Sequence, residues 1–288
     1  MRIPILRIPA ILFLANCLSV HADVEGISRV KSSGGVNEYR LESNGLVILL
    51  APMVGSGAST FSVTYRVGSR NESYGTTGAT HLLEHLMFKG TTAHNKQAGN
   101  GLDQLLEGIG AETNATTGFD STIYTTTLSP EHLPVIIGLE ADRMRTLRLR
   151  EEDLRPEMSV VWDEYDRGED EPVTALDREI WATAFQAHPY RHSVIGWRSD
   201  IENVPLPKLR EFYDTYYWPD NATVTVTGAI QDADALLGEI KRQYGPIPRA
   251  PKPIPSVYTV EPPQTGPRRV TMKRPRDSEI VTVTFEAP

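Results

Sequence analysis

The segment His81-Leu82-Leu83-Glu84-His85 constrains this chain more than any other stretch of it. On an α-helix, residues three and four apart lie on the same face, so the two imidazoles and the carboxylate project together. Two neutral histidines are suited to hold Zn²⁺, and a carboxylate beside them is suited to take a proton from a bound water. An amphipathic helix with two half-exposed histidines is the simpler alternative. The pattern predicts a helix over about residues 77–90 with a candidate metal site on one face.

A catalytic zinc site needs a third protein ligand, and a predicted acidic helix over about residues 151–167 supplies candidates. Glu157 and Glu164 are seven residues apart, close to two helical turns, so they share a face. The same run also fits an ordinary solvent-exposed acidic face. Spacing alone leaves the third ligand open among Glu151, Glu152, Asp153, Glu157, Asp163, Glu164 and Asp166.

The composition limits the number of domains and the kinds of partner that fit this chain. The chain has 288 residues, of which 40% are hydrophobic, enough for one large domain or two with a real core. The formal net charge of −8 predicts an acidic surface and argues against nucleic acid as a partner. We therefore interpret the short basic stretch from Arg268 to Arg276 as solvated surface.

Residues 1–22 have the three-part order of a secretory signal peptide. A positively charged start, with Arg2 and Arg7, precedes a short apolar run over residues 8–20. This run is too short to span a bilayer, and no later segment stays apolar for long enough to do so. We therefore expect cleavage after Ala22 and a chain that is periplasmic or secreted.

The only cysteine of the chain, Cys17, lies inside this leader. After cleavage the chain would have no cysteine and so no disulfide bond. A lipid anchor at Cys17 is an alternative, but Asn16 fits the lipoprotein sequence pattern poorly.

Hydrophobic periodicity predicts alternating groups of strands and helices. Residues 23–36 show no clear period and are interpreted as a loose N-terminal arm, and Asn44-Gly45 predicts a tight hairpin turn. The predicted strands are 39–41, 46–51, 61–67, 112–117, 121–128 and 222–227, and the predicted helices are 77–90, 99–109, 129–147, 151–167, 173–185, 205–217 and 232–244.

The segment that follows the last predicted helix is rich in proline. Eight prolines between Pro246 and Pro267 predict a semi-rigid extended linker, and we place a domain boundary near residue 250. Beyond the linker, Val270–Lys273 and Ile280–Phe285 are interpreted as strands.

Several stretches, from about Tyr39 to Pro248, together resemble the insulinase/pitrilysin family of zinc peptidases and its bacterial processing-peptidase-like members. The first is the H-x-x-E-H helix itself, the signature of the inverzincins, with its exit Leu86-Met87-Phe88-Lys89-Gly90-Thr91. The others are Asn114-Ala115-Thr116 with Asp120-Ser121-Thr122 and Tyr124, Ala141-Asp142-Arg143-Met144, Glu157 with Val160-Val161 and Glu164, His188-Pro189-Tyr190 with Val194-Ile195-Gly196, and Tyr217-Trp218-Pro219-Asp220-Asn221.

The resemblance implies a zinc-dependent endopeptidase acting on peptides or unfolded polypeptide segments. It implies His81, His85 and Glu164 as the zinc ligands. It also implies Glu84 as the general base toward a zinc-activated water and Glu157 as an auxiliary catalytic acid near the metal. The choice of Glu164 over its neighbours comes from the resemblance and not from spacing.

The family lays its substrate along a sheet edge, which the resemblance places at residues 113–117. Asn114, Ala115 and Thr116 would bind the peptide there by strand addition, in which backbone hydrogen bonds provide affinity with little sequence demand. For Asn114 the alternative is a residue that merely tolerates a bend.

The resemblance implies an α+β fold, with a mostly antiparallel sheet and helices packed on one face. It divides the chain into a catalytic domain over residues 37–248, a linker over 249–268, and the first strands of a similar, truncated second domain over 269–288. Active members have two such halves, and the second contributes an Arg and a Tyr that hold substrate. We therefore expect either a longer protein or a second chain that supplies the other half, and weak activity from this chain alone.

Two other functions fit part of the pattern. The first is a non-catalytic family relative that binds peptide or acts as a scaffold subunit in a two-chain assembly, although the intact motif counts against it. The second is a metal-binding protein without hydrolytic function, and Glu84 beside the site counts against that one.

The leader generates the first testable prediction. N-terminal sequencing of the chain from a periplasmic fraction should begin at Asp23, because signal peptidase cuts after small residues. Replacing the small residue, Ala22→Arg, should leave uncleaved precursor. An abundant exported form that keeps Met1 would contradict the prediction.

Overall fold

Seven strands form one sheet in the computed structural model, which describes residues 24–274 and 279–285. The predicted leader, residues 1–22, lies outside the described residues. The strands are β1 (Ile27–Ser33), β2 (Val36–Leu41), β3 (Val47–Pro52), β4 (Ser59–Tyr65), β5 (Glu112–Thr117), β6 (Thr122–Leu128) and β7 (Ala222–Gly228). Their order across the sheet is β1-β2-β3-β7-β4-β6-β5. The β3–β7 pair is parallel and the other pairs are antiparallel, so the prediction of a mostly antiparallel sheet is confirmed.

Eight α-helices accompany the sheet in the described residues. They are α1 (Ala79–Leu86), α2 (Leu102–Gly108), α3 (Leu133–Thr146), α4 (Glu151–Asp170), α5 (Pro172–Ala184), α6 (Arg198–Asn203), α7 (Leu206–Tyr216) and α8 (Ala233–Tyr244). All except α6 were predicted; this helix is too short to show a helical period. In the part of the chain described here, no helix combines the length and apolar character that crossing a bilayer requires.

The two faces of the sheet differ sharply in polarity. Along β4, Phe61, Val63 and Tyr65 are buried, whereas the alternating residues are half-buried Ser and Thr. β6 and β7 alternate in the same way, because successive side chains of a strand point to opposite faces. The apolar face packs against the helices and forms the core, which confirms the predicted α+β arrangement with helices on one face.

The interpretation of residues 23–36 as a loose arm is wrong. β1 pairs antiparallel with β2 through a turn at Gly34 and Gly35, both at positive φ, a conformation that glycine adopts without steric cost. β1 is an edge strand with exposed side chains after its first residue. It has no buried face to impose an alternating pattern, so the sequence shows no period there.

The β2–β3 hairpin is confirmed, but its loop spans residues 42–46 and is longer than a two-residue turn. Asn44 is fully buried in this loop. Its side-chain amide donates to the carbonyls of Tyr244 and Ile247, at 2.8 and 2.9 Å, and its Oδ1 accepts from the Leu46 amide at 3.1 Å. Asn44 therefore fixes the hairpin to the end of α8.

The two strands predicted after the linker are not present. Residues 270–273 and 280–285 have no strand pairing in the structure. Val281, Val283 and Phe285 are 83, 69 and 88% exposed, so the apolar alternation that suggested a strand has no partner surface here. A strand needs a neighbour for its backbone groups, and none lies beside these residues in the described chain.

The proline-rich segment is anchored to the helices. Glu261 accepts hydrogen bonds from the consecutive amides of residues 186–188, at 2.7 to 3.0 Å. Arg268 donates to carbonyls at the end of α5, and Arg274 pairs with Glu169 at 3.1 Å. The interpretation of this basic stretch as solvated surface is therefore wrong for Arg268, since the last carbonyls of a helix offer acceptors that sequence does not reveal, whereas Arg274 is exposed as expected.

Asn44 provides a test of the hairpin anchor. Asn44→Ala should lower the free energy of unfolding by about 2–4 kcal/mol, because it leaves buried backbone groups without partners. Urea unfolding followed by circular dichroism measures the change. Ser43→Ala is the matched control; it removes one exposed hydrogen bond of 3.3 Å and should change stability by less than about 0.5 kcal/mol. Equal stability of the two variants would contradict the anchoring role.

Candidate metal centre

Helix α1 begins at a backbone position that requires glycine. Gly78, its N-cap, has φ 83°, and a Cβ there would collide with the carbonyl oxygen of Ile195. The Glu72 carboxylate accepts the amides of Gly78 and Thr80 at 2.9 and 2.7 Å, which satisfies donors that a helix N-terminus leaves open. Burial raises the pKa of Glu72 to about 8, while these hydrogen bonds act in the opposite direction.

The leucines of the motif attach α1 to the core. Leu82, Leu83 and Leu86 are at most 1% exposed, so this face of the helix is fully buried. The opposite face turns His81 and His85 toward α4, with ring centroids 4.9 Å apart and the rings nearly perpendicular. The spacing of apolar and polar residues in the motif therefore sets the direction of both imidazoles.

Glu164 of α4 meets the two histidines. Its Oε2 lies 3.7 Å from His81 Nε2 and 3.8 Å from His85 Nε2. Three ligand atoms held about 2.1 Å from one tetrahedral zinc ion would be about 3.4 Å apart, so the two carboxylate–imidazole distances are close to what the ion needs. Among the described residues, this is the group of three metal-ligating side chains whose donor atoms converge, within 4.8 Å of one another.

The electrostatics of His81 suit a metal ligand. Burial lowers the pKa of His81, and the nearby His85 lowers it further, whereas the Glu164 and Glu84 carboxylates raise it. Burial therefore favours the neutral imidazole, the form that can donate a nitrogen lone pair to a metal.

Glu157 lies behind His85 and outside the converging group. Its Oε2 is 3.2 Å from His85 Nδ1, and its other oxygen pairs with the Lys89 ammonium. A carboxylate on the far nitrogen of a histidine fixes the proton there and leaves Nε2 free for a metal. The sequence grouped Glu157 with the catalytic residues; the structure brings it to the site through His85.

Glu84 is also outside the converging group, and its side chain is 9% exposed. Thr117, the last residue of β5, donates from Oγ1 to Glu84 Oε2 at 2.7 Å. Thr117 was not among the site residues predicted from the sequence. The alternation of β5 was the available signal. Thr117 is three residues after Asn114, so its side chain lies on the opposite face of the strand from the exposed Asn114 and Thr116.

The three predicted substrate-binding residues lie on β5, at the end of the sheet. Ala115 pairs with buried Tyr124 and faces the helices, whereas Asn114 and Thr116 are exposed on the other face. Asn114 Oδ1 accepts from the Ala115 amide at 2.9 Å. In the described chain β5 pairs only with β6, so its outer backbone edge is open beside α1.

Comparison with known proteins identifies the family. Residues 48–197 match the model of "Insulinase (Peptidase family M16)", and residues 203–288 match the "Peptidase M16 inactive domain". The second match includes β7 and α8, although β7 pairs with β3 and β4 of the first.

Named relatives and solved structures agree with this match. The chain is 35% identical to zinc protease PqqE of Helicobacter pylori, over 80% of this chain and 52% of that protein. It is 26% identical to the mitochondrial-processing peptidase subunit beta of Lentinula edodes, over 77% of this chain and 47% of the relative. The chain thus spans about half the length of the curated relatives it matches.

Comparison with solved structures supports the same family. A crystal structure of a protease from Helicobacter pylori superposes with a TM-score of 0.74 at 33% identity, covering 84% of this chain and 55% of that one. The first half of the periplasmic protease PqqL from Escherichia coli shares the fold, with a TM-score of 0.70 at 22% identity, covering 82% and 50%. The chain belongs to the insulinase family, peptidase family M16.

Proposed function

We propose that this chain carries the metal centre and the general base of a zinc-dependent endopeptidase that cleaves peptides or unfolded polypeptide segments. The observation that supports this most is the convergence of His81 Nε2, His85 Nε2 and a Glu164 oxygen within 4.8 Å, beside a separate buried carboxylate. The names of the relatives, zinc proteases, support the same chemistry. A purely structural zinc site would be closed by a fourth protein ligand, and the described residues place none there.

The catalytic role proposed for each residue follows from the hydrogen bonds and ion pairs that it already makes. His81, His85 and Glu164 would hold zinc, which when bound would supply a positive charge to polarise a water and the scissile carbonyl. Glu84 has one oxygen held by Thr117 and the other available, so it accepts the water proton and passes it to the leaving amine. Glu157 orients His85 and does not touch substrate.

The edge of β5 is the proposed substrate-binding surface. An extended peptide adds a strand there through main-chain hydrogen bonds, which suits substrates of varied sequence. Asn114, Ala115 and Thr116 contribute mainly their backbone, since the side chains of Asn114 and Thr116 face away from α1.

A second protein region is part of the proposal. The exposed apolar residues Val281, Val283 and Phe285 need a surface to cover them, and this chain spans only about half the length of the relatives it matches. Sequence beyond this chain, or a second chain, would supply that surface and complete the substrate cleft. The same observations fit a peptide-binding or scaffold subunit of a two-chain assembly, which is the second candidate function.

We also propose a periplasmic or secreted location. The leader over residues 1–22 supports it, as does the name of the structurally similar periplasmic protease PqqL.

Metal content tests the ligand set. The purified chain should hold about one zinc ion after dialysis, as a His₂Glu catalytic site does. His85→Ala should weaken zinc binding by more than about 100-fold, since altering groups that merely support a ligand already costs 10–100-fold. His132→Ala, a histidine outside the site, is the control and should keep its zinc. Stoichiometric zinc in His85→Ala would contradict the assignment.

Replacing the proposed base tests the mechanism. Glu84→Gln preserves shape but loses basicity, so the variant should bind zinc normally while kcat falls by at least about 100-fold. A quenched fluorescent peptide, assayed with the protein region that completes the cleft, measures turnover. Near-normal kcat with full zinc content would rule out Glu84 as the base; loss of zinc would instead place it among the ligands.

A further inference from the structure

We propose that Thr117 is a positioning residue that holds the Glu84 carboxylate toward the metal centre and links it to the substrate-binding strand. The proposal rests on the proposed function. It concerns one contact, the 2.7 Å hydrogen bond from Thr117 Oγ1 to Glu84 Oε2.

The register of β5 determines which threonine makes this contact. Thr117 pairs with Thr122, a fully buried residue whose hydroxyl donates to the Val67 carbonyl at 3.0 Å. That pairing places the Thr117 side chain on the helix-covered face of the sheet, next to α1. The adjacent Thr116 is on the opposite face and exposed, so it cannot replace Thr117.

The contact leaves Glu84 with one free oxygen. The described residues give Oε2 a single donor, Thr117, and no hydrogen-bond partner is found for Oε1. A glutamate side chain has three rotatable bonds, and a general base works only when its oxygen is within hydrogen-bond reach of the proton it takes. The Thr117 hydroxyl therefore restricts the carboxylate without occupying the oxygen that the chemistry needs.

The same contact connects substrate binding to the base. Thr117 ends the strand whose outer edge is open to a peptide, so the strand that receives the substrate also orients Glu84. A peptide added to β5 would stiffen the strand and, through Thr117, the carboxylate. We expect the orientation of Glu84 to be best defined when substrate is bound.

A double-mutant cycle separates positioning from general stability. The ligand is a peptide hydroxamate, which binds zinc through its oxygens and shares a proton with a neighbouring carboxylate. Calorimetry on the zinc-loaded chain measures its affinity, so the assay needs no turnover. Thr117→Val should weaken binding by about 10-fold, the cost of a hydrogen bond to a charged group, and Thr117→Ser should restore it.

The cycle is completed in the Glu84→Gln background. There Thr117→Val should weaken binding by less than about 2-fold, because contacting residues are not additive. Thr127→Val is the matched control. The Thr127 hydroxyl bonds to the Thr60 hydroxyl at 2.9 Å on the opposite face of the sheet, so this variant should bind the hydroxamate with unchanged affinity. In a turnover assay, Thr117→Val should lower kcat while KM changes by less than about 3-fold.

The results distinguish a positioning role of Thr117 from a purely structural one. An equal loss in both backgrounds, or no recovery with Thr117→Ser, would mean that Thr117 acts on the fold and not through Glu84. Unchanged affinity in Thr117→Val would also overturn the proposal. If the unmodified chain binds neither zinc nor hydroxamate, the proposed function itself fails, which is a distinguishable result.

Discussion

The burial of one face of helix α1 against the sheet is the constraint on which the rest of the site depends. Leu82, Leu83 and Leu86 are inaccessible to solvent, so α1 cannot rotate without exposing them. Burying three such side chains is worth roughly 5–9 kcal/mol in area terms, more than any single polar contact in the site. The intervening residues His81, Glu84 and His85 are therefore held on the other face, facing α4 and the end of β5.

The site concentrates negative charge around this helix. Glu84, Glu157 and Glu164 approach the two histidines, whereas Lys89 is the cation that pairs with one of them, Glu157, in the structure. Glu84 and Glu157 are buried whereas the Glu164 side chain is 46% exposed, and a divalent cation between the proposed ligands would offset part of this negative charge. Each acid contacts a different group: Glu84 the Thr117 hydroxyl, Glu157 His85 and Lys89, and Glu164 both histidines.

Sequence reasoning was most successful where the pattern is local. The i, i+3 and i+4 spacing of the leucines in α1 and the alternation in β4 depend on one buried face each, and both elements were predicted. β1 was missed because an exposed edge strand has no alternating face, and α6 because its six residues make fewer than two turns. The strands expected at 270–273 and 280–285 have the right alternation but no partner in the described chain.

The site shows the same division between local and long-range information. The shared face of His81, Glu84 and His85 follows from helix geometry, whereas the choice of Glu164 required a family resemblance, because seven acids share its stretch of sequence. Thr117 and Glu72 act through contacts with residues that are 33 and 8 positions away. Strand alternation can place Thr117 on the helix-covered face, but the partners of Thr117 and Glu72 depend on the register of a strand and the path of a loop, which no single-sequence pattern specifies.

In the proposed site, one metal ion is held by His81 and His85 of α1 and by Glu164 of α4. The most direct measurement is anomalous diffraction from zinc-loaded crystals, with data on both sides of the zinc absorption edge. The account predicts one peak about 2.0–2.2 Å from His81 Nε2, His85 Nε2 and a Glu164 oxygen, with Glu84 and Glu157 outside that distance. A zinc ion bound directly by Glu157 or Glu84 in place of Glu164, or a peak away from α1, would contradict it.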